Sequence, residues 1–194
     1  MRTTAPGQSA LLLLDIIDVL EQKGITYAII GAFAASFYGM VRASLDADAV
    51  ISIHTSQEAV SLCDDLRVKG LSVEHRKGDQ DDPIAAVINI QDSFHNRVDL
   101  LIGIQGMARE VFQRTQSARF MGALIKIVSP EDFIAMKIFA GNPQDISDVM
   151  GVLDVSGKKI DFNLLRKLTV SYGADSIKKL EKVLIEKKLK GHNT

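Results

Sequence analysis

A single cysteine, Cys63, excludes an intramolecular disulfide framework and any cysteine-rich zinc site. The four histidines, at positions 54, 75, 95 and 192, show no short ligand spacing, which argues against a histidine-based zinc centre. Long hydrophobic runs are also missing. The nearest, Leu11 to Leu20, is interrupted by Asp15 and Asp18 and is far shorter than a bilayer span. Neither charge dominates: the formal net charge is −1, so any contact with nucleic acid has to come from a local basic patch. Internal repeats, low-complexity tracts and Pro/Ser-rich linkers are lacking too. What remains is an ordinary globular composition, 46% apolar and 24% charged, in a chain of 194 residues that suits one domain or one domain with a helical appendage. The expected setting is a reduced, cytoplasmic one, with no membrane partner.

The stretch from Tyr27 to Ile53, YAIIGAFAASFYGMVRASLDADAVISI, organises the chain. A short apolar run ends at Gly31, small and aromatic residues follow to Gly39, Arg42 opens a polar connection, and Asp46 and Asp48 begin a second apolar run. This predicts a strand near 27–30, a glycine turn, a helix near 33–38, and a strand near 47–54. Side chains at i and i+2 of a strand point to the same side, so Asp46 and Asp48 would stand as a close carboxylate pair, costly without a cation between them.

Around that stretch, Ser9 is expected to cap a helix ending at Gly24, and Ser56 to cap one that runs to Lys69 with Val60, Cys63 (or Leu62) and Leu66 inward. Cys63 then reads as a small buried hydrophobe. Leu71 to His75 and Ile84 to Ile90 are strand candidates, and the acidic group Asp79, Asp81 and Asp82 between them reads as a solvated turn. RVDLLIG is an apolar strand with Asp99 embedded in it, a carboxylate that needs a partner. A helix over 106–115 and one strand over 118–127 complete the mixed part. From Ser129 the pattern is helical: Ser129-Pro130 and Asn142-Pro143 each start a helix, Asp145 and Asp148 share a face of the second, and two more helices follow Asp161. The lysines of the last, at 178, 179, 182, 187, 188 and 190, read as its solvated side and frayed end, with a nucleic-acid contact as the alternative. The expected fold class is therefore α/β (α+β), a mixed sheet flanked by helices over residues 1–128 with a helical C-terminal part over 129–194.

Two carboxylates on one strand and a third on a neighbour are what two-metal phosphoryl or nucleotidyl transfer needs. Oxygen ligands suit Mg²⁺ (or Mn²⁺), which takes the rest of its shell from water and substrate phosphates. Backbone N–H groups at a glycine turn before a helix suit the phosphates. Taken alone, a D-x-D on a strand reads equally well as a solvent-facing acidic pair.

Gly31-Ala32, thirteen intervening residues and then Asp46-Ala47-Asp48-Ala49 resemble the signature of the DNA polymerase β-like nucleotidyltransferase superfamily. The wording of the stretch is similar to the minimal and abortive-infection toxin branches, and SPEDFIAMKIFAGNPQDISDVMGVL is similar to a downstream helical segment there. The resemblance implies an enzyme that moves a nucleoside monophosphate from a nucleoside triphosphate (NTP) to a hydroxyl of a tRNA, a protein or a small molecule. It also implies a possible toxin role with an antitoxin protein as partner. Asp46, Asp48 and Asp99 would bind metal, with Asp99 helping to deprotonate the acceptor. Gly31 and Ala32 would meet the triphosphate through their backbone, and Arg42, Ser44 and Lys137 would complete the nucleotide site. Arg42 reads equally as a structural ion pair, and Asp145 and Asp148 as helix-start carboxylates. Ala32 replaces the family's Gly or Ser, and Ser44 its usual Thr. The alternative implied by Ala32 is a degenerate relative that binds nucleotide or a partner without turnover. The helical C-terminal part is where acceptor choice is expected.

Overall fold

The computed structural model describes residues 1–42 and 44–191, with side chains as far as 187. His192 and the side chains of the lysines at 188 and 190 lie outside the described residues. The chain divides into two compact units, one of Met1–Phe33, Ala43–Gln105 and Thr115–Ile127, the other of Ala34–Arg42, Gly106–Arg114 and Val128–Thr194.

The first unit holds a seven-stranded sheet. Its strands are β1 (Tyr27–Ile29), β2 (Asp46–Ile51), β3 (Ser72–Lys77), β4 (Ile84–Gln91), β5 (Arg97–Ile104), β6 (Gln116–Phe120) and β7 (Ala123–Ile127), in the order β3-β4-β5-β2-β1-β7-β6. Pairs β5/β2 and β1/β7 are parallel and the rest antiparallel, so the sheet is mixed as expected. Burial alternates along β2, β4 and β5. Ala47, Ala49, Ile88, Ile90, Val98 and Leu100 are buried on one face, while Asp46, Asp48, Asn89, Gln91 and Asp99 are only partly covered. Helices α1 (Ser9–Gln22) and α3 (Ser56–Val68) pack in this unit, α1 on β2 and β5 and α3 on β3, with Leu12, Leu13, Ile16, Leu62 and Leu66 almost wholly buried.

Local chemistry differs from the sequence expectation at several points. Thr55, not Ser56, caps α3, in a reciprocal box with Glu58. Ser9 is the first helical residue of α1 and caps nothing; its hydroxyl is used elsewhere. The inward side of α3 is Ala59, Leu62, Cys63 and Leu66, while Val60 is exposed. Burial pushes the Cys63 thiol up, outweighing nearby Arg67, in keeping with a small inert hydrophobe. Only Arg109–Phe112 of the helix expected over 106–115 is helical, as a 3-10 turn. The strand expected over 118–127 is a hairpin, because Met121 and Gly122 take positive φ (49° and 82°) and reverse the chain.

The second unit is helical: α4 (Pro130–Ala140), α5 (Pro143–Ser156), α6 (Phe162–Ser171) and α7 (Ala174–Gly191). Ser129 caps α4, Asn142 forms a capping box with Asp145 on α5, and Asp161 caps α6. Phe133, Ile134, Ile138, Leu165 and Leu180 form its core, and α4 packs against α5, α6 and α7. A seven-residue helix, α2 (Gly31–Phe37), follows β1. Among the described residues no helix is long and apolar enough to cross a membrane.

Candidate active site

Asp46, Asp48 and Asp99 come together on one face of the sheet. Parallel β2 and β5 pair Asp48 directly with Asp99, and Asp46 with Arg97. In-register neighbours on adjacent strands lie about 4.8 Å apart and point the same way, so Asp48 and Asp99 stand side by side. Gly31 is built into the same place. Its φ is +63°, and a Cβ there would fall 2.1 Å from Asp48 Oδ2, so glycine alone leaves room for that carboxylate. The Ile30 N–H donates to the Asp48 carbonyl at 3.0 Å, fixing the end of β1 beside the acid.

The three acids differ in their surroundings. Asp46 Oδ1 is buried without a hydrogen-bond partner, its nearest cation being Arg97 Nε at 3.8 Å. Asp99 Oδ1 accepts from Asn89 Nδ2 at 2.7 Å, and Asn89 Oδ1 accepts from Arg76 Nε at 2.9 Å, so a carboxamide backed by a guanidinium holds the third acid. Ser44 Oγ donates to the Asp46 carbonyl at 2.9 Å, closing the turn into β2. Ser9 ties the starts of both acid strands: its Oγ donates to the Leu45 carbonyl at 2.5 Å and accepts from the Arg97 N–H at 3.0 Å. Among the described residues no three His, Cys, Asp or Glu side chains converge on a single metal position. A pair of carboxylates with one partnerless buried oxygen is nevertheless the donor set Mg²⁺ uses, since that ion takes one or two carboxylates and fills its shell with water and phosphate oxygens.

Arg42 and Lys137 belong to the second unit, and there they meet carboxylates. Lys137 Nζ lies 2.6 Å from Asp145 Oδ1 and 3.1 Å from Asp148 Oδ2. Arg42 Nε stands 3.2 Å from Asp148 Oδ1, and Gln144 Nε2 donates to that same oxygen at 3.0 Å. Asp145 is the helix-start carboxylate expected of it. Asp148 is more than that, a fully buried acid with two cations and an amide around it.

Asn89 and Arg76 escaped sequence reasoning, and Ser9 reads there only as a helix cap. Asn89 did leave a signal: in IAAVINIQ it and Gln91 alternate with Ile88 and Ile90, so they fall on the face opposite the core. Pairing that strand with RVDLLIG would have put Asn89 opposite Asp99.

A profile of the family described as a nucleotidyl transferase of unknown function (DUF2204) matches residues 10–189. The chain belongs to this nucleotidyl transferase family. Solved structures share the transferase's fold. The antibiotic-resistance factor ANT(2'')-Ia superposes with a TM-score of 0.58 at 11% identity, covering 96% of this chain and 98% of its own. An antigenic nucleotidyltransferase-like protein from Paracoccidioides brasiliensis gives 0.56 at 18% identity, covering 94% and 92%. The lincosamide antibiotic adenylyltransferase LnuA gives 0.50 at 12%, covering 79% and 100%. No curated protein matches the transferase in sequence. At these identities the likeness to solved structures is one of fold, and the family match is what makes the chain a transferase.

Proposed function

We propose that this transferase moves a nucleoside monophosphate from an NTP to a hydroxyl acceptor, with Asp46 and Asp48 holding Mg²⁺ or Mn²⁺ and Asp99 receiving the acceptor's proton. The observation that carries the reading is the row of acids itself, with Asp48 in register with Asp99 and Asp46 two residues along the same face. Three carboxylates crowded on a partly covered sheet face repel one another, and the local fold leaves one Asp46 oxygen without a donor. A bound divalent ion would supply charge neutralisation for the triphosphate and a more acidic acceptor hydroxyl. The chain's own residues do the rest. Asn89 holds Asp99 in place, so that its free oxygen can take the hydroxyl proton. The acceptor oxygen bonds to the α-phosphorus, the bond from that phosphorus to the α–β bridging oxygen breaks, and pyrophosphate leaves with the electron pair. Gly31 presents backbone rather than bulk beside Asp48, which suits phosphate approach, while Ala32 is almost wholly buried.

In this proposal Ser44 shapes the turn into β2, and Arg42 and Lys137 would bind phosphate only by competing with Asp145 and Asp148. The toxin role and its antitoxin partner rest on the motif resemblance to the abortive-infection branches. Expression that arrests growth with the wild-type chain, and not with Asp48→Ala, supports that role; arrest by both contradicts it. The activity itself is tested by incubating the protein with Mg²⁺ and each α-labelled NTP over RNA, protein and small-molecule acceptors. Transfer that vanishes on chelation and in Asp48→Ala supports the reading. A chain that binds NTP but never transfers label is the degenerate relative that Ala32 suggests.

A further inference from the structure

The row of acids does not stop at β5. Pairing places Glu74, Asn89, Asp99 and Asp48 in one line across β3, β4, β5 and β2, and Ser72, Gln91, Arg97 and Asp46 in the next. Residues in register point to one face, so the polar face of these strands runs continuously from the acids for three strand spacings, about 14 Å. A cleft of about 370 Å³ lies on it, lined by Ser72, Glu74, Arg76, Asn89, Gln91 and Arg97.

The charge of this cleft is unlike that of the acids beside it. It carries two arginines and one carboxylate. The Arg76 Nε–H is given to Asn89 Oδ1, and no carboxylate lies in ion-pair reach of Arg76 among the described residues. Arg97 is half exposed, and its one acidic partner among the described residues, Asp46 at 3.8 Å, is a residue a cation would claim. Ser72, Asn89 and Gln91 add neutral hydrogen-bonding groups between them. The lining has no aromatic side chain, and its one aliphatic residue, Ile90, is buried in the core, so it lacks the apolar anchors on which protein partners are usually held. A polycationic small molecule would meet two like charges. A chain of phosphates with hydroxyls and base edges between them finds two cations and three neutral hydrogen-bonding groups, with Glu74 the one opposing charge in the lining.

We propose that this cleft seats the acceptor, and that the acceptor is a single strand of nucleic acid whose terminal ribose hydroxyl reaches Asp99 while its phosphates lie on Arg76 and Arg97. The proposal rests on the transfer reading above and names the acceptor class for it. It places acceptor choice on the sheet, where the sequence pattern had suggested the helical part. In the reaction the ribose hydroxyl oxygen replaces pyrophosphate on the α-phosphorus, its proton passing to Asp99, so the strand grows by one nucleotide.

The test is fluorescence anisotropy of a short labelled single-stranded RNA with the full chain, without metal or NTP, as a function of salt. Arg76→Gln is expected to weaken binding about 5-fold and to lower the salt slope by roughly 0.7. Glu74→Gln is expected to tighten binding by about 2-fold, because it removes the one acid facing the phosphates. Both residues are exposed, so melting curves should match the wild type and exclude misfolding. RNA binding indifferent to Arg76→Gln overturns the proposal. So does an aminoglycoside that binds in place of RNA and is weakened by Glu74→Gln, or a mononucleotide that binds as tightly as the strand. Binding by the Asp48→Ala chain separates the two readings. Arg76-dependent RNA binding without label transfer in the wild type sinks the catalytic reading and leaves the cleft standing. Transfer to a non-nucleic acceptor does the reverse.

Discussion

Gly31 and Asp48 are the pair of residues on which the site's geometry turns. At φ +63° a side chain is strained by about 1 kcal/mol, and a Cβ would also fall on the Asp48 carboxylate. Gly31→Ala should therefore lower stability modestly, by about 1–2 kcal/mol, and reduce label transfer at least ~100-fold, since a displacement of about 1 Å at a reacting group costs that much. Thermal melting and transfer assays on one preparation check both. Asp92, between β4 and β5, gives a pH signature. Burial would raise its pKa, but the Asn96 side chain and N–H and the Phe94 N–H all donate to it, and the balance is a lowered value. A lowered folded pKa stabilises above the unfolded value, near ~3.9, and that stability is lost as pH falls through the folded value. Asp92→Asn should thus cost about 1–3 kcal/mol at neutral pH and progressively less below about pH 4. Denaturant midpoints measured against pH would show the two chains converging.

At the scale of elements, α4 and α5 are joined by charge as well as by packing. Lys137 on α4 meets Asp145 and Asp148 at the start of α5, and Asp148 has no exposed surface. Lys137→Met leaves that buried carboxylate to Arg42 and Gln144. The expected loss is about 3 kcal/mol, the low end for a broken buried pair because one cation remains. Urea unfolding of the variant measures it, and an unchanged midpoint would mean that Lys137 is free for another partner. These two helices were legible in the sequence because Ser129-Pro130 and Asn142-Pro143 state their starts in local chemistry. The β6–β7 hairpin was not. Met121-Gly122 carries no Asn-Gly or Asp-Gly signal, and the apolar residues on either side run on as one strand would. The helix expected over 106–115 shrank to a single 3-10 turn for a related reason, since local pattern says little about where a short segment finds its packing.

For the molecule as a whole, the family match makes the chain a nucleotidyl transferase, and its mixed sheet was legible from alternating strands and turn residues. The acids were legible as residues, because Asp46, Asp48 and Asp99 each interrupt an apolar strand. Their neighbours were not, because strand order brings Asn89 and Arg76 to Asp99 from β4 and β3, and no local pattern encodes pairing across the sheet. The sheet thus turns three scattered carboxylates into a row, with a basic cleft at its end. The most direct test of this account is transfer of label from an α-labelled NTP in the presence of Mg²⁺, by the wild-type chain beside Asp48→Ala and Asp99→Asn. The account predicts transfer by the wild type that chelation abolishes and that falls at least ~1000-fold in both variants. Transfer that persists in Asp48→Ala at the wild-type rate would contradict it.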